Sequence, residues 1–287
     1  MKRVVAALIV AGTLLLSAQT APHNPLLHAT RQAPTDLEVG GEISGAGQFI
    51  SYQDLLRLPQ VNFITSNDTN FPVPPRVGGV ALDQLRRLLG AGGDMVVAIC
   101  RDGYRSNYPA SYLAAHHPVL VLTVDGKAQE SWPKAENGGE LGPYVIANPS
   151  FTPSFKVLSH NDEAQIPFQV VRLDFRSESE VFGAIAPHGN FAPGSPVMDG
   201  YRIAQQNCYR CHNMGAEGGH MASIAWPVLA ALAKGSPEFF AKYVRNPQAL
   251  NPHSRMAASP GYDDQTIAAL RAYFVTFAPG ETPGEQK

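Results

Sequence analysis

Two thiols and an imidazole stand together in the run Cys208-Tyr209-Arg210-Cys211-His212. Cys-x-x-Cys-His is the covalent attachment pattern of a c-type haem. Each thiol can add across one vinyl group of the porphyrin, and the histidine that follows is carried beneath the ring, where its imidazole can ligate iron. Two other chemistries use related spacing. A redox dithiol opens a helix just after a strand, whereas the residues before Cys208 read as helix. A zinc site wants more thiols or paired histidines, and the remaining cysteine is Cys100. The residues therefore favour one covalently bound haem c held by Cys208 and Cys211, with His212 on the iron.

Helical signals frame this run. Residues 198–207 lead into Cys208, with Asp199 as a candidate cap. Residues 262–274 carry Ile267, Leu270, Tyr273 and Phe274 on one helical face, behind Asp263 and Asp264, which suit the positive end of the dipole. Between them Ser236-Pro237-Glu238 opens a third helix, and Asn246-Pro247 ends it. A haem that only carries electrons takes a second axial ligand, Met or His. After the motif stand Met214, His220, Met221, His253 and Met256. Met214 is too near His212 in sequence to reach the opposite face, and Met256 lies in a polar, proline-bounded loop where no helical stripe explains it.

With these residues in place, the segment 197–287 resembles a class I cytochrome c. The family has a helix into the haem motif, a middle helix, an Asn-Pro turn, a loop ending in methionine, and a last helix crossing the first. Gly200 stands where the family lets the two terminal helices touch, and Leu270 and Tyr273 match its crossing residues. Ala204 departs from the aromatic that is usual there. The resemblance implies Met256 as the distal ligand, with His253 the nearest rival. It also implies that a proline carbonyl, best matched by Pro227, accepts from the other nitrogen of His212.

Residues 34–180 carry no signature as sharp and read as mixed α/β. Strands are expected at 96–100, 119–124, 144–147 and 168–175, and helices at 52–58 and 82–89. Here the runs Phe49-Ile50-Ser51-Tyr52, Gly79-Val80-Ala81-Leu82, Asp102-Gly103-Tyr104 and Gly142-Pro143-Tyr144-Val145-Ile146 are similar in order to the molybdopterin-binding domain of the sulfite oxidase family. One departure matters. That family places a metal-ligating cysteine before the Gly-Val-x-Leu helix, where residues 61–70 hold no thiol. Cys100 comes after the helix, and Arg76, Arg101 and Arg105 are the only basic candidates for the pterin phosphate. The expectation is a domain that keeps the fold without molybdopterin, with Cys100 buried at the end of an apolar strand.

The chain as a whole is expected to be multidomain: mixed α/β at 34–180, a Pro- and Gly-rich linker at 184–196, and an all-α haem domain at 197–287. Lys2 and Arg3, the apolar run from Val4 to Leu16 and the small residues to Ala21 have the layout of a signal peptide, 1–21. The run is shorter than the roughly 20 residues that a membrane span needs, so membrane contact is expected only if the segment stays uncleaved. Export and covalent haem attachment agree with a periplasmic location. A net charge of -2 gives nucleic acid no basic surface to bind. The expected role is a periplasmic monohaem cytochrome passing single electrons between redox partner proteins, its N-terminal domain serving for docking or for substrate-side redox. The alternative is a molybdenum-dependent, sulfite dehydrogenase-like oxidoreductase with a built-in haem outlet.

Overall fold

In the computed structural model the described residues are 24–278, apart from 46, 66, 67, 69, 136, 137 and 150–164; the expected signal segment lies outside them. In chain order the first part contains β1 (Leu37–Gly41), β2 (Phe49–Ile50), α1 (Tyr52–Arg57), β3 (Val61–Ile64), β4 (Arg76–Ala81), α2 (Leu82–Leu88), β5 (Met95–Cys100), β6 (Arg105–Pro109), α3 (Ala110–His116), β7 (Val119–Val124), β8 (Val145–Ala147), β9 (Val170–Arg176) and α4 (Glu178–Gly183). Two sheets form, in the orders β2-β1-β9-β5-β6 and β3-β4-β7-β8. In the first, β1 runs parallel to β9, and β5 runs antiparallel to both β9 and β6. The second is antiparallel throughout.

The unbroken apolar run of β5 is explained by cover on both faces. Successive side chains of a strand point to opposite sides. Val96, Ala98 and Cys100 enter a core between the two sheets, with Leu37, Leu120, Leu122, Leu173 and Phe175. Met95 and Val97 enter a different core, shared with residues of the C-terminal helices, and Ile99 packs against it. On the second sheet β7 divides likewise, with Val121 and Val124 packing beneath Trp132 and Leu141 on the outer side. The helices α1, α2 and α3 close the inter-sheet core through Leu55, Leu82, Leu85 and Leu113.

The second part contains α5 (Pro196–Gln206), a 3-10 turn at Cys208–Arg210, β10 (Asn213–Met214), β11 (Glu217–Gly218), α6 (Trp226–Gly235), α7 (Pro237–Arg245), α8 (Pro247–Leu250) and α9 (Asp264–Val275). It is thus helical except for the antiparallel β10–β11 ribbon, a correction to the all-α expectation. The cap of α5 is Ser195, whose hydroxyl accepts from the Met198 amide, with Pro196 in the first turn. Asp199 instead sits inside that turn, against Arg202. Asp263 caps α9, accepting from the Thr266 amide. Helices α5 and α9 cross at Gly200. A Cβ there would lie 2.1 Å from the Ala269 carbonyl oxygen and 2.8 Å from the Tyr273 Cβ, so only hydrogen fits.

The stretch 184–196 is not a free tether. Ile185 is fully buried, and its carbonyl accepts from the Tyr273 hydroxyl at 2.6 Å. Tyr209, inside the Cys-x-x-Cys-His run, donates to the Val181 carbonyl at 3.0 Å. Composition reads the stretch as a linker because Pro and Gly punctuate it. The isoleucine at its start nevertheless belongs to a core built by residues on both sides of it.

Candidate functional site

Helix α5 ends at Asn207, and the chain tightens into one 3-10 turn. The Cys208 carbonyl accepts from the amides of both Cys211 and His212, at 3.2 and 2.9 Å. This turn places the two half-exposed thiols and the imidazole within five residues. The side chains between the thiols anchor it in two directions. Tyr209 is buried edge-on against Trp226, ring centroids 5.4 Å apart. Arg210 donates to the Tyr104 hydroxyl at 3.2 Å.

The chain then folds back on the turn. The Gly219 amide donates to the Tyr209 carbonyl at 2.9 Å and the Ala222 amide to the Cys211 carbonyl at 3.0 Å. This return needs glycine. A Cβ at Gly219 would lie 1.8 Å from the Arg210 carbonyl oxygen, and one at Gly218, where φ is +88°, would lie 2.5 Å from the Tyr209 ring. The Cys211 Sγ comes to rest 3.7 Å from the Met221 Sδ.

His212 is 8% exposed. Its Nδ1 lies 2.6 Å from the Ile224 carbonyl oxygen. A carbonyl can only accept, so Nδ1 carries the proton and Nε2 keeps its lone pair. Burial lowers the pKa of the imidazole, while the carbonyl contact opposes that shift. The result is a neutral, oriented ring with one nitrogen ready for a metal. The accepting carbonyl belongs to Ile224, not to Pro227 as the resemblance implied. Pro227 stands in the first turn of α6, where carbonyls are turned into the helix's own ladder. Ile224, just before the helix, has its carbonyl free.

Cys211 lacks the lowered pKa of an activated thiol. Burial first, and the Asp102 carboxylate after it, push the Cys211 thiol up to about 11, against the opposing pull of Arg210 and Arg255. A nucleophilic dithiol needs the opposite shift. Among the described residues no group of three or more His, Cys, Asp and Glu side chains gathers as a metal cluster.

The loop carrying Met256 approaches the same turn. Arg255 lies 3.9 Å from Asp102 and acts on Cys211. Met256 is half-buried, and its carbonyl accepts from the Gln248 amide nitrogen at 2.8 Å. His253 is exposed. Beside the His212 anchor two apolar side chains are open, Ile224 just before α6 at 37% and Val228 in α6 at 48% exposure, although Trp226, Ala230 and Ala233 of that helix are buried.

Cys100 closes β5 inside the inter-sheet core. Burial chiefly, with Asp102 and Cys211 nearby, drives its thiol pKa far upward. Arg105 is engaged with Glu217 and the Ala216 carbonyl, while Arg76 and Arg101 are exposed. Glu217 and Arg176 were not brought forward by the sequence; Glu217 pairs with Arg176 at 3.0 Å and with Arg105, read there as a candidate for the pterin phosphate, at 3.5 Å. Three residues scattered over more than 100 positions carry no local signal. A cavity of about 380 Å³ between α3, α4 and α5, lined by Tyr112, His116, Glu178 and Arg202 among others, does not touch the Cys208–His212 turn.

No family model and no curated protein matches the chain. Among solved structures it aligns with the sulfane dehydrogenase SoxCD from Paracoccus pantotrophus, at 15% identity and a TM-score of 0.35. The alignment covers 52% of this chain and 40% of that one. So loose a likeness carries no argument about the activity of this protein, which rests on its own residues.

Proposed function

We propose that this protein is a monohaem c-type cytochrome that carries single electrons in the periplasm. Cys208 and Cys211 form the two thioethers, His212 is the proximal iron ligand and Met256 the distal one. The observation that carries the reading is the His212 imidazole, fixed through Nδ1 on the Ile224 carbonyl immediately after a pair of thiols on one turn. That tautomer leaves Nε2 for iron, and the hydrogen bond raises its basicity. One further feature supports the fit. Exposed Ile224 and Val228 offer apolar surface that a porphyrin would cover. When bound, the haem supplies reversible one-electron exchange at iron. The protein's part is to hold the ring, limit water around it and present a docking surface.

The N-terminal α/β part is read as a docking and supporting unit without molybdopterin. A molybdenum centre would want a thiolate from the protein, and Cys100 is buried in the inter-sheet core. The test is a redox titration with metal analysis on the same sample. A single one-electron wave with one iron and no molybdenum per chain is expected. Molybdenum with sulfite-dependent haem reduction would reverse the assignment.

A further inference from the structure

The N-terminal sheet sends one turn into the haem-attachment loop. This turn follows β5 and contains Asp102, Gly103 and Tyr104, with Arg105 opening β6. Gly103 accepts through its carbonyl from the His220 amide at 2.8 Å. The Tyr104 hydroxyl accepts from Arg210 at 3.2 Å, inside the Cys-x-x-Cys-His run itself. Arg105 pairs with Glu217, and Arg176 of β9 pairs with the same carboxylate. All three of these side chains are at most about a quarter exposed, so the attraction is less screened than at the surface. Glu217 lies on β11, midway round the loop that leads from His212 back to Met221. Asp102 reaches across to Arg255, the residue before Met256, at 3.9 Å. That exposed pair adds little energy, but it shows the turn standing beside both loops.

A side chain at Gly103 would be strained and tightly packed against the loop. Its φ is +87°, and a Cβ would lie 3.0 Å from the His220 carbonyl carbon and 3.2 Å from the Met221 nitrogen. The α/β part therefore makes backbone contact with the attachment loop.

Resting on the haem reading above, we infer that the Asp102–Arg105 turn is a positioning clamp, through which the N-terminal part sets how tightly the attachment loop closes on the haem and so tunes its reduction potential. Hydrogen bonding and solvent access around a haem are what a protein can vary to this end. A loosened loop admits water, which favours the more highly charged ferric state, so loosening lowers the potential.

The experiment compares the matured full chain with Gly103→Ala, Glu217→Gln and Tyr104→Phe, and with Leu55→Ala, whose side chain is buried in the inter-sheet core. Midpoint potential, haem content and thermal midpoint are read for each. The clamp variants are expected to keep their haem and show lowered potentials, Gly103→Ala most. Leu55→Ala is expected to lose thermal stability with its potential unchanged. If Gly103→Ala does not mature, Glu217→Gln and Tyr104→Phe, which leave the backbone alone, decide the matter. Haem-loaded clamp variants at the parental potential overturn the clamp and leave the haem assignment standing. A parent protein without haem overturns both.

Discussion

At the scale of single residues, the site depends on small groups in fixed places. Gly219 is one. With 1.8 Å between a built Cβ and the Arg210 carbonyl oxygen, Gly219→Ala forces the return strand off the thiol turn. We expect it to destabilise the fold by about 1–3 kcal/mol and to cut the yield of haem-loaded protein, measured by denaturant unfolding and absorbance. Met256 is another. Met256→Ala is expected to abolish the long-wavelength band of methionine-ligated ferric haem, with Met221→Ala and Met214→Ala leaving it in place. Retention of the band in Met256→Ala would return the distal position to the other candidates. Away from the site, Asp68 lies in the β3–β4 connection, where burial pushes its carboxyl up to about 6. Its folded pKa stands above the ordinary 3.8, so the folded state holds this proton more tightly than the unfolded one. The cost of the charged form is absent below that ordinary value and complete above the folded one, so stability falls as pH rises between them. Asp68→Asn is expected to gain about 1–2 kcal/mol near neutral pH and to flatten that part of the pH profile. An unchanged profile would show that the carboxyl is solvated.

At the scale of elements, what the sequence made legible was what carries its own pattern. The run 95–100 is apolar almost throughout and reads as a strand without help. Helix α9 shows Ile267, Leu270, Tyr273 and Phe274 on one face, all buried. The thiol and imidazole constellation is readable because its chemistry is compressed into five residues. β6 was not legible: Arg-Ser-Asn-Tyr-Pro has the composition of a turn, yet Ser106 and Asn107 are buried because pairing with β5 overrides propensity. β4 was missed for a related reason, since Gly78 and Gly79 weaken its strand pattern. The acceptor for His212 was misplaced by three residues, because the start of α6 decides which carbonyls are free, and boundaries are weakly encoded. Gly200 was readable as a crossing point only through resemblance; here its reason is the Ala269 carbonyl against it. Gly200→Ala is expected to part α5 from α9 and lower the thermal midpoint, with a loss of about 1–3 kcal/mol.

At the scale of the whole molecule, sequence composition points to two domains and a linker, whereas the packing joins them. Met95 and Val97 of a sheet strand share a core with Trp226, Phe240 and Phe274 of the helices. Such sharing lies outside the reach of a local pattern, because a strand with two buried faces looks the same whatever covers it. The energetic consequence is coupling. Met95→Ala is expected to cost about 2–5 kcal/mol and to destabilise sheet and haem site together. Unfolding followed by far-ultraviolet dichroism and by haem absorbance should give coincident midpoints. Separate midpoints would restore the picture of independent domains on a tether.

The claim on which the rest stands is covalent haem at Cys208 and Cys211, and the intact mass of the mature protein, taken with its absorption spectrum after expression in a host that matures c-type cytochromes, tests it most directly. The account predicts a mass larger than the mature polypeptide by one haem, a Soret band that survives acid extraction, and loss of the covalent two-thioether product in a Cys208→Ser, Cys211→Ser double variant. A mass equal to the polypeptide alone, without Soret absorbance, would contradict it.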